Sequence, residues 1–275
     1  MESKSKNDYL NEFKQKLLKD KISQNTIKNY VIELKKALCG QEFSNIQEID
    51  NEKIENHMKN IKSKKTANNL KIALKKFKEL NKSFKYDEFE IDLQSAKKSH
   101  KRLTKFKEAF NLASSTHKIN ALKNERFKMA YKLMLSGALR CDEVANITKD
   151  NIKITNKGIV IDIKHGKGGF SREAKLIDSK YFEDNIPKYI KYFSPGENLF
   201  YSANYMQKTA KNIGFMCHDL RRASSQIIHK INSHKGNEES IEAVKEHLGH
   251  SPKSRTYKKY LSRKIIFDNT KWGGI

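Results

Sequence analysis

Cysteine, proline, glycine and acidic residues are all scarce in this chain of 275 residues. The three cysteines, Cys39, Cys141 and Cys217, are odd in number and widely spaced, with no Cys-x-x-Cys among them. That argues against a disulfide framework or a zinc finger, and no metal is expected. Only three prolines and twelve glycines interrupt the chain, which favours long helices. No apolar run approaches the ~20 residues that span a bilayer, so no membrane partner is expected. The opening Met-Glu-Ser-Lys-Ser-Lys lacks the apolar stretch of a secretory leader, giving the expectation of a cytoplasmic, DNA-associated protein. Acids are outnumbered: 56 Lys and Arg against 32 Asp and Glu leave a net charge of +24. Such a surplus implies a polyanionic partner. Fourteen Phe and eleven Tyr supply enough apolar surface to exclude a disordered basic tail.

Apolar residues recur at helical spacing from the start. Leu10, Phe13, Leu17 and Leu18 mark a helix over 7–20, and Ile27, Val31, Leu34 and Leu38 mark a second that ends at Gly40. A third runs near 50–61 through Ile54, Met58 and Ile61. A fourth covers about 64–81, with Ala67, Leu70, Leu74 and Phe77 inward. Its opposite face carries Lys64, Asn68, Lys71, Lys75 and Lys78, one basic stripe suited to phosphate contact. A lone lysine there would read as a solvated surface; a whole face of one sign does not. The helical period breaks over 83–103, the expected linker between a helical domain at 1–82 and a second domain at 104–275. Helical patterning resumes at 104–113, 124–136, 184–192, 204–213, 219–233 and 238–248. Between them, Ile-Val-Ile-Asp-Ile at 159–163, a turn at Gly166-Lys167-Gly168-Gly169 and a return strand at 174–177 make a β-hairpin. The expected fold is mainly α with a small sheet.

Four strings stand in a fixed order. Leu139-Arg140-Cys141-Asp142-Glu143 follows a small-residue turn at Ser136-Gly137-Ala138. The hairpin turn carries Lys167 and is followed by Arg172. His218-Asp219-Leu220-Arg221 makes a His-x-x-Arg, and Leu248-Gly249-His250 follows. Each string alone is weak; the four in one order, on a basic two-part chain, are specific. Together they resemble the boxes of the tyrosine recombinase (phage integrase) family, and the resemblance covers nearly the whole chain.

The resemblance implies a two-domain, C-shaped DNA clamp with a core-DNA-binding domain and a catalytic domain. The implied activity is site-specific recombination, as in a mobile-element integrase. DNA would be cut and rejoined through a 3′-phosphotyrosine intermediate, with neither ATP nor a metal or other cofactor. Arg140 and Arg221 would bind the non-bridging phosphate oxygens, since guanidinium forks fit phosphate and stay charged. His250 would donate to the same oxygens, His218 would manage the proton of the attacking phenol, and Lys167 would protonate the departing 5′-oxygen. Glu143, three residues after Arg140, would orient the site from behind. Tyr257 falls seven residues after His250 and Tyr260 ten. The family's usual gap lies between, closer to the second, and Tyr260-Leu261 resembles its Tyr-hydrophobic ending. Tyr260 is therefore the expected nucleophile and Tyr257 the alternative. The implied partners are double-stranded DNA and three further copies of the chain in a homo-tetramer on synapsed DNA. Phe267 and Trp272, in a polar tail, would dock on their own domain or on a neighbouring copy; the resemblance favours the neighbour. A type IB-like topoisomerase and a non-catalytic DNA-binding protein are the alternatives.

Overall fold

The computed structural model describes residues 4–86, 109–156, 158–164, 171–177 and 179–267. The chain divides into two compact units, Met1–Lys105 and Phe106–Ile275.

In the first unit, polar caps start each helix where the periodicity demands one. Ser5, Ser23, Asp50 and Ser63 each accept from a backbone N–H of the first turn. They open α1 (Lys6–Lys19), α2 (Gln24–Ala37), α3 (Asn51–Lys59) and α4 (Lys64–Leu80). Leu10, Phe13, Leu17, Ile27, Leu34, Ile54, Met58, Leu70, Leu74 and Phe77 form one core. The linker expected from residue 83 starts inside that core. Phe84 stands 5.4 Å edge-on to Phe77 and stacks on Tyr86 at 5.9 Å, and both are buried. Two aromatic rings within reach of an apolar helix face bury themselves whatever the charge around them. Residues 87–103 of that expected linker lie outside the described residues.

The second unit holds α5 (Leu112–Asn120), α6 (Glu125–Ser136), α7 (Cys141–Ala145), α8 (Ser179–Ile190), α9 (Ala203–Ile213), α10 (Cys217–Asn232), α11 (Asn237–Leu248) and α12 (Lys258–Leu261). Of the helix expected at 104–113, residues 104–108 lie outside the described residues, Phe110–Asn111 form a strand, and a helix starts at Leu112, capped by the Asn111 side chain. Helix α6 is buried on nearly every side, as befits a helix through the middle of a core. The hairpin is one edge of a three-stranded antiparallel meander, β2 (Ile152–Thr155), β3 (Gly158–Ile163) and β4 (Arg172–Lys175). Ile159, Ile161 and Ile163 face the core while Val160 and Asp162 face outward, the period of a one-sided sheet. A second sheet pairs β1 (Phe110–Asn111) in parallel with β5 (Ile265–Ile266). This pairing and the packing of Phe267 against the core dock the start of the tail on its own domain. The neighbouring copy expected to receive Phe267 is therefore not needed for it; Trp272 lies outside the described residues.

Candidate active site

The small-residue turn after α6 delivers Arg140. Ala138 adopts a left-handed φ of +47°, Leu139 is buried, and Arg140 becomes the N-cap of α7 in extended conformation. Glu143, three residues on, returns its carboxylate to the Arg140 N–H at 2.8 Å and also pairs with the Arg140 guanidinium. The same carboxylate accepts from Arg172 Nη2 at 3.0 Å and lies 3.9 Å from Arg221 Nη1. Its side chain is only 3% exposed. Burial alone would raise its pKa, but Arg172, the Arg140 N–H, Arg221 and Arg140 outweigh burial and hold it below the usual carboxylate value.

Arg221 projects from the first turns of α10 and is wholly buried. Its guanidinium donates to the carbonyls of Ala138 and, at 2.7 Å, Leu248, so it ties the arginine turn to the end of α11. Burial and the nearby Arg140 cation push its pKa down to about 10, leaving it charged at neutral pH. Arg221 Nε donates to the Tyr260 hydroxyl at 3.4 Å, with Cζ 5.5 Å from the ring centroid. The Tyr260 ring lies between two imidazoles, with centroids 5.3 Å from His218 and 5.5 Å from His250. Desolvation, aided by Arg222 and Arg221, pushes His218 down to about 4. Desolvation, aided by Arg221 and Arg140, does the same to His250. Both are neutral at pH 7. His250 Nδ1 is buried and has no hydrogen-bond partner among the described residues.

Arg140, Glu143, His218, Arg221, His250 and Tyr260 thus meet around one point. Tyr257 packs on the cluster of Ala138, Val244 and Leu248 that also buries Tyr260, and its ring lies against Lys245, 5.5 Å from Nζ. Lys167 lies outside the described residues. In the first unit, Lys64, Asn68, Lys75 and Lys78 are exposed on one face of α4 and Lys71 is half-buried. The Lys78 ammonium donates to the Tyr86 carbonyl, so this end of the stripe is partly engaged.

No motif assigns a role to Arg172 or His247, and both belong to the cluster. Arg172, the first residue of β4, links Glu143 to the His247 carbonyl at 3.4 Å. His247 shares a 2.7 Å hydrogen bond with Ser224, and burial, with Arg172 and Arg221 near, pushes it down to about 3. The signal available was the position of Arg172 just past the hairpin turn. Cys141 and Cys217 are both free and buried, each adjacent in sequence to a residue of the site.

The family model "Phage integrase family" matches residues 101–264, more than half of the chain. The chain belongs to the phage integrase family. As a member it is a tyrosine site-specific recombinase, a DNA-binding enzyme. Solved structures of similar fold include a lambda integrase tetramer bound to a Holliday junction, with TM-score 0.63 and 14% identity over 98% of this chain and 80% of that one. XerH site-specific recombinase bound to difH substrate, in a post-cleavage complex, gives 0.59 and 17% over 85% and 75%. The Tn1549 transposon integrase with circular intermediate DNA gives 0.58 and 15% over 96% and 97%. No curated protein matches significantly. No described helix of this phage integrase is long and apolar enough to cross a membrane.

Proposed function

We propose that Tyr260 is the nucleophile of this recombinase. Its hydroxyl oxygen attacks the scissile phosphorus, the bond to the 5′-oxygen breaks, and a 3′-phosphotyrosine forms. The strand is resealed when another 5′-hydroxyl attacks that ester. The observation that carries this reading is the placement of one phenol against Arg221 Nε and between His218 and His250. The Arg221 cation favours the negative charge that grows on the phenol oxygen and on the phosphate beside it. Arg140, a quarter exposed, is the guanidinium open to the non-bridging oxygens. His250, with a buried nitrogen awaiting a partner, supplies a further hydrogen bond. His218, neutral and beside the ring, accepts the phenolic proton. Lys167 takes its role as acid for the 5′-oxygen from the family resemblance.

The exposed face of α4 is the proposed grip on the DNA backbone, and the assembly on synapsed DNA is proposed to be a homo-tetramer. Each phosphate neutralised there adds salt-dependent affinity without reading sequence.

The test is a nicked suicide duplex drawn from the protein's own genomic DNA. Wild type and Tyr257→Phe should form a covalent adduct, and Tyr260→Phe should form none. An adduct retained by Tyr260→Phe and lost by Tyr257→Phe would overturn the assignment. Mass photometry of the trapped complex reads the subunit number.

A further inference from the structure

Helix α12, which carries Tyr260, is four residues long. One turn of helix has no stability of its own, and its terminal carbonyls have no partner within the helix. Something outside must therefore fix the nucleophile. Ala138, Val244 and Leu248 bury the ring, but apolar contact does not set its height or rotation.

Gln226, on α10 five positions past Arg221, supplies the directional contact. Its amide nitrogen stands 3.2 Å from the Tyr260 carbonyl, 3.3 Å from that of Leu261 and 2.6 Å from that of Arg263. Three acceptors converge on one group, so only the –NH2 end of the amide can face them. Two N–H bonds serve three carbonyls, which gathers the end of α12 to one point on α10. Arg221 and Gln226 then hold the same tyrosine from one helix, the first at its hydroxyl and the second at its backbone.

We propose that Gln226 is a positioning residue for the nucleophile, fixing the Tyr260 backbone so that its hydroxyl stands at Arg221 between the two imidazoles. This rests on Tyr260 being the nucleophile. No covalent step is assigned to Gln226 itself.

The test substitutes Gln226→Glu in the full chain, keeping shape while replacing the donor by a carboxylate that opposes three carbonyl oxygens. Its protonated form regains one donor. Single-turnover capture on the suicide duplex should fall roughly tenfold at pH 8, the loss expected from one to two hydrogen bonds. DNA affinity should stay within about twofold of wild type, because no phosphate contact is assigned to this amide. Relative to wild type at each pH, capture should recover severalfold on acidification toward pH 5.5. The charged and titratable groups near Gln226 on α10 and the segment after α12 include Asp219, paired with Arg222 and Arg263, as well as Arg221, His229, and Lys230 over the Phe267 ring. All of them are shared by wild type, Gln226→Glu and Gln226→Met, so the comparison among the three at each pH cancels their effect. The same comparison covers the two site histidines, whose charge on bound DNA is common to all three proteins. Gln226→Met, which has no donor in either form, should lose capture at every pH without recovery.

Wild-type capture by both variants overturns the inference and leaves the nucleophile untouched. Equal loss in both with no recovery for Gln226→Glu also overturns it, showing a packing role instead. An adduct formed by Tyr260→Phe overturns the nucleophile assignment, whatever the Gln226 variants do. Should Gln226→Glu fail to fold, Gln226→Asn decides: one methylene shorter, it keeps the donor but misses the carbonyls. Reduced capture at unchanged DNA affinity then supports the proposal, and wild-type capture overturns it.

Discussion

Arg172 crosses Gly249 so closely that a Cβ at position 249 would collide with Arg172 Cδ and stand 2.7 Å from Nε. Gly249 also ends α11 at a φ of +62°. The glycine of the Leu-Gly-His string is thus required twice, once for its backbone and once for the arginine above it. Gly249→Ala should push Arg172 off Glu143 and destabilise the protein by roughly 3–5 kcal/mol, the range for removing one partner of a buried ion pair. In an Arg172→Ala background the same change should cost only the left-handed strain of about 1–2 kcal/mol. Urea unfolding of the four proteins of this cycle measures the difference.

The two imidazoles flanking Tyr260 make stability depend on acid. Their folded pKa values, near 4, lie below the ordinary 6.5. The unfolded chain therefore binds protons first, and stability falls as pH drops from 6.5 toward 4. His218→Gln with His250→Gln should flatten that part of the stability curve, read from urea midpoints at pH 7 and pH 4.5. NMR titration of the free protein should place both midpoints near 4, and bound DNA should raise them, because a phosphate favours the imidazolium.

Glu143 gives the opposite case at lower pH. Its carboxyl sits below the ordinary 4.5 because Arg172, the Arg140 N–H, Arg221 and Arg140 overcome its burial. Its contribution is complete above that value and is lost as pH falls through the depressed one. Glu143→Gln leaves three guanidiniums without their counter-ion, a loss of about 3–5 kcal/mol at neutral pH. The variant should also show a shallower acid limb below pH 4.5 in thermal unfolding.

Arg221→Lys removes a fork whose two arms hold Ala138 and Leu248 and whose Nε holds Tyr260. An ammonium reaches only part of that set, so carbonyls are left unpaired in the core at about 1–3 kcal/mol each. Lower melting temperature and lost covalent capture should appear together, in contrast to Arg140→Lys, where the partly exposed side chain predicts lost capture at nearly unchanged stability.

The helices were legible because their apolar residues repeat with the helical period and because Ser23 and Gly40 bracket the second one. Strand β2 was not, since Ile152-Lys153-Ile154-Thr155 is short and mostly exposed, without the β-branched run that marked β3. Strands β1 and β5 are two residues each and exist only through one another. Charge surrounds Phe84 and Tyr86 in sequence and makes them read as linker, while burial is decided by Phe77 in space. Within the site, residues in strings could be named in advance. Arg172 closes the hairpin string without a role of its own and Gln226 belongs to no string, and what they hold comes from other segments of the chain.

The parallel pairing of Phe110 with Ile265 joins the first described strand of the second unit to its last. During synthesis, then, the leading strand waits unpaired until nearly the whole unit has left the ribosome. The segment that completes the sheet directly follows the tyrosine-bearing turn. A chain that stops before Tyr260 would lack the proposed nucleophile and the closing strand together, whereas one that stops just after it would keep the phenol on a unit whose sheet is still open.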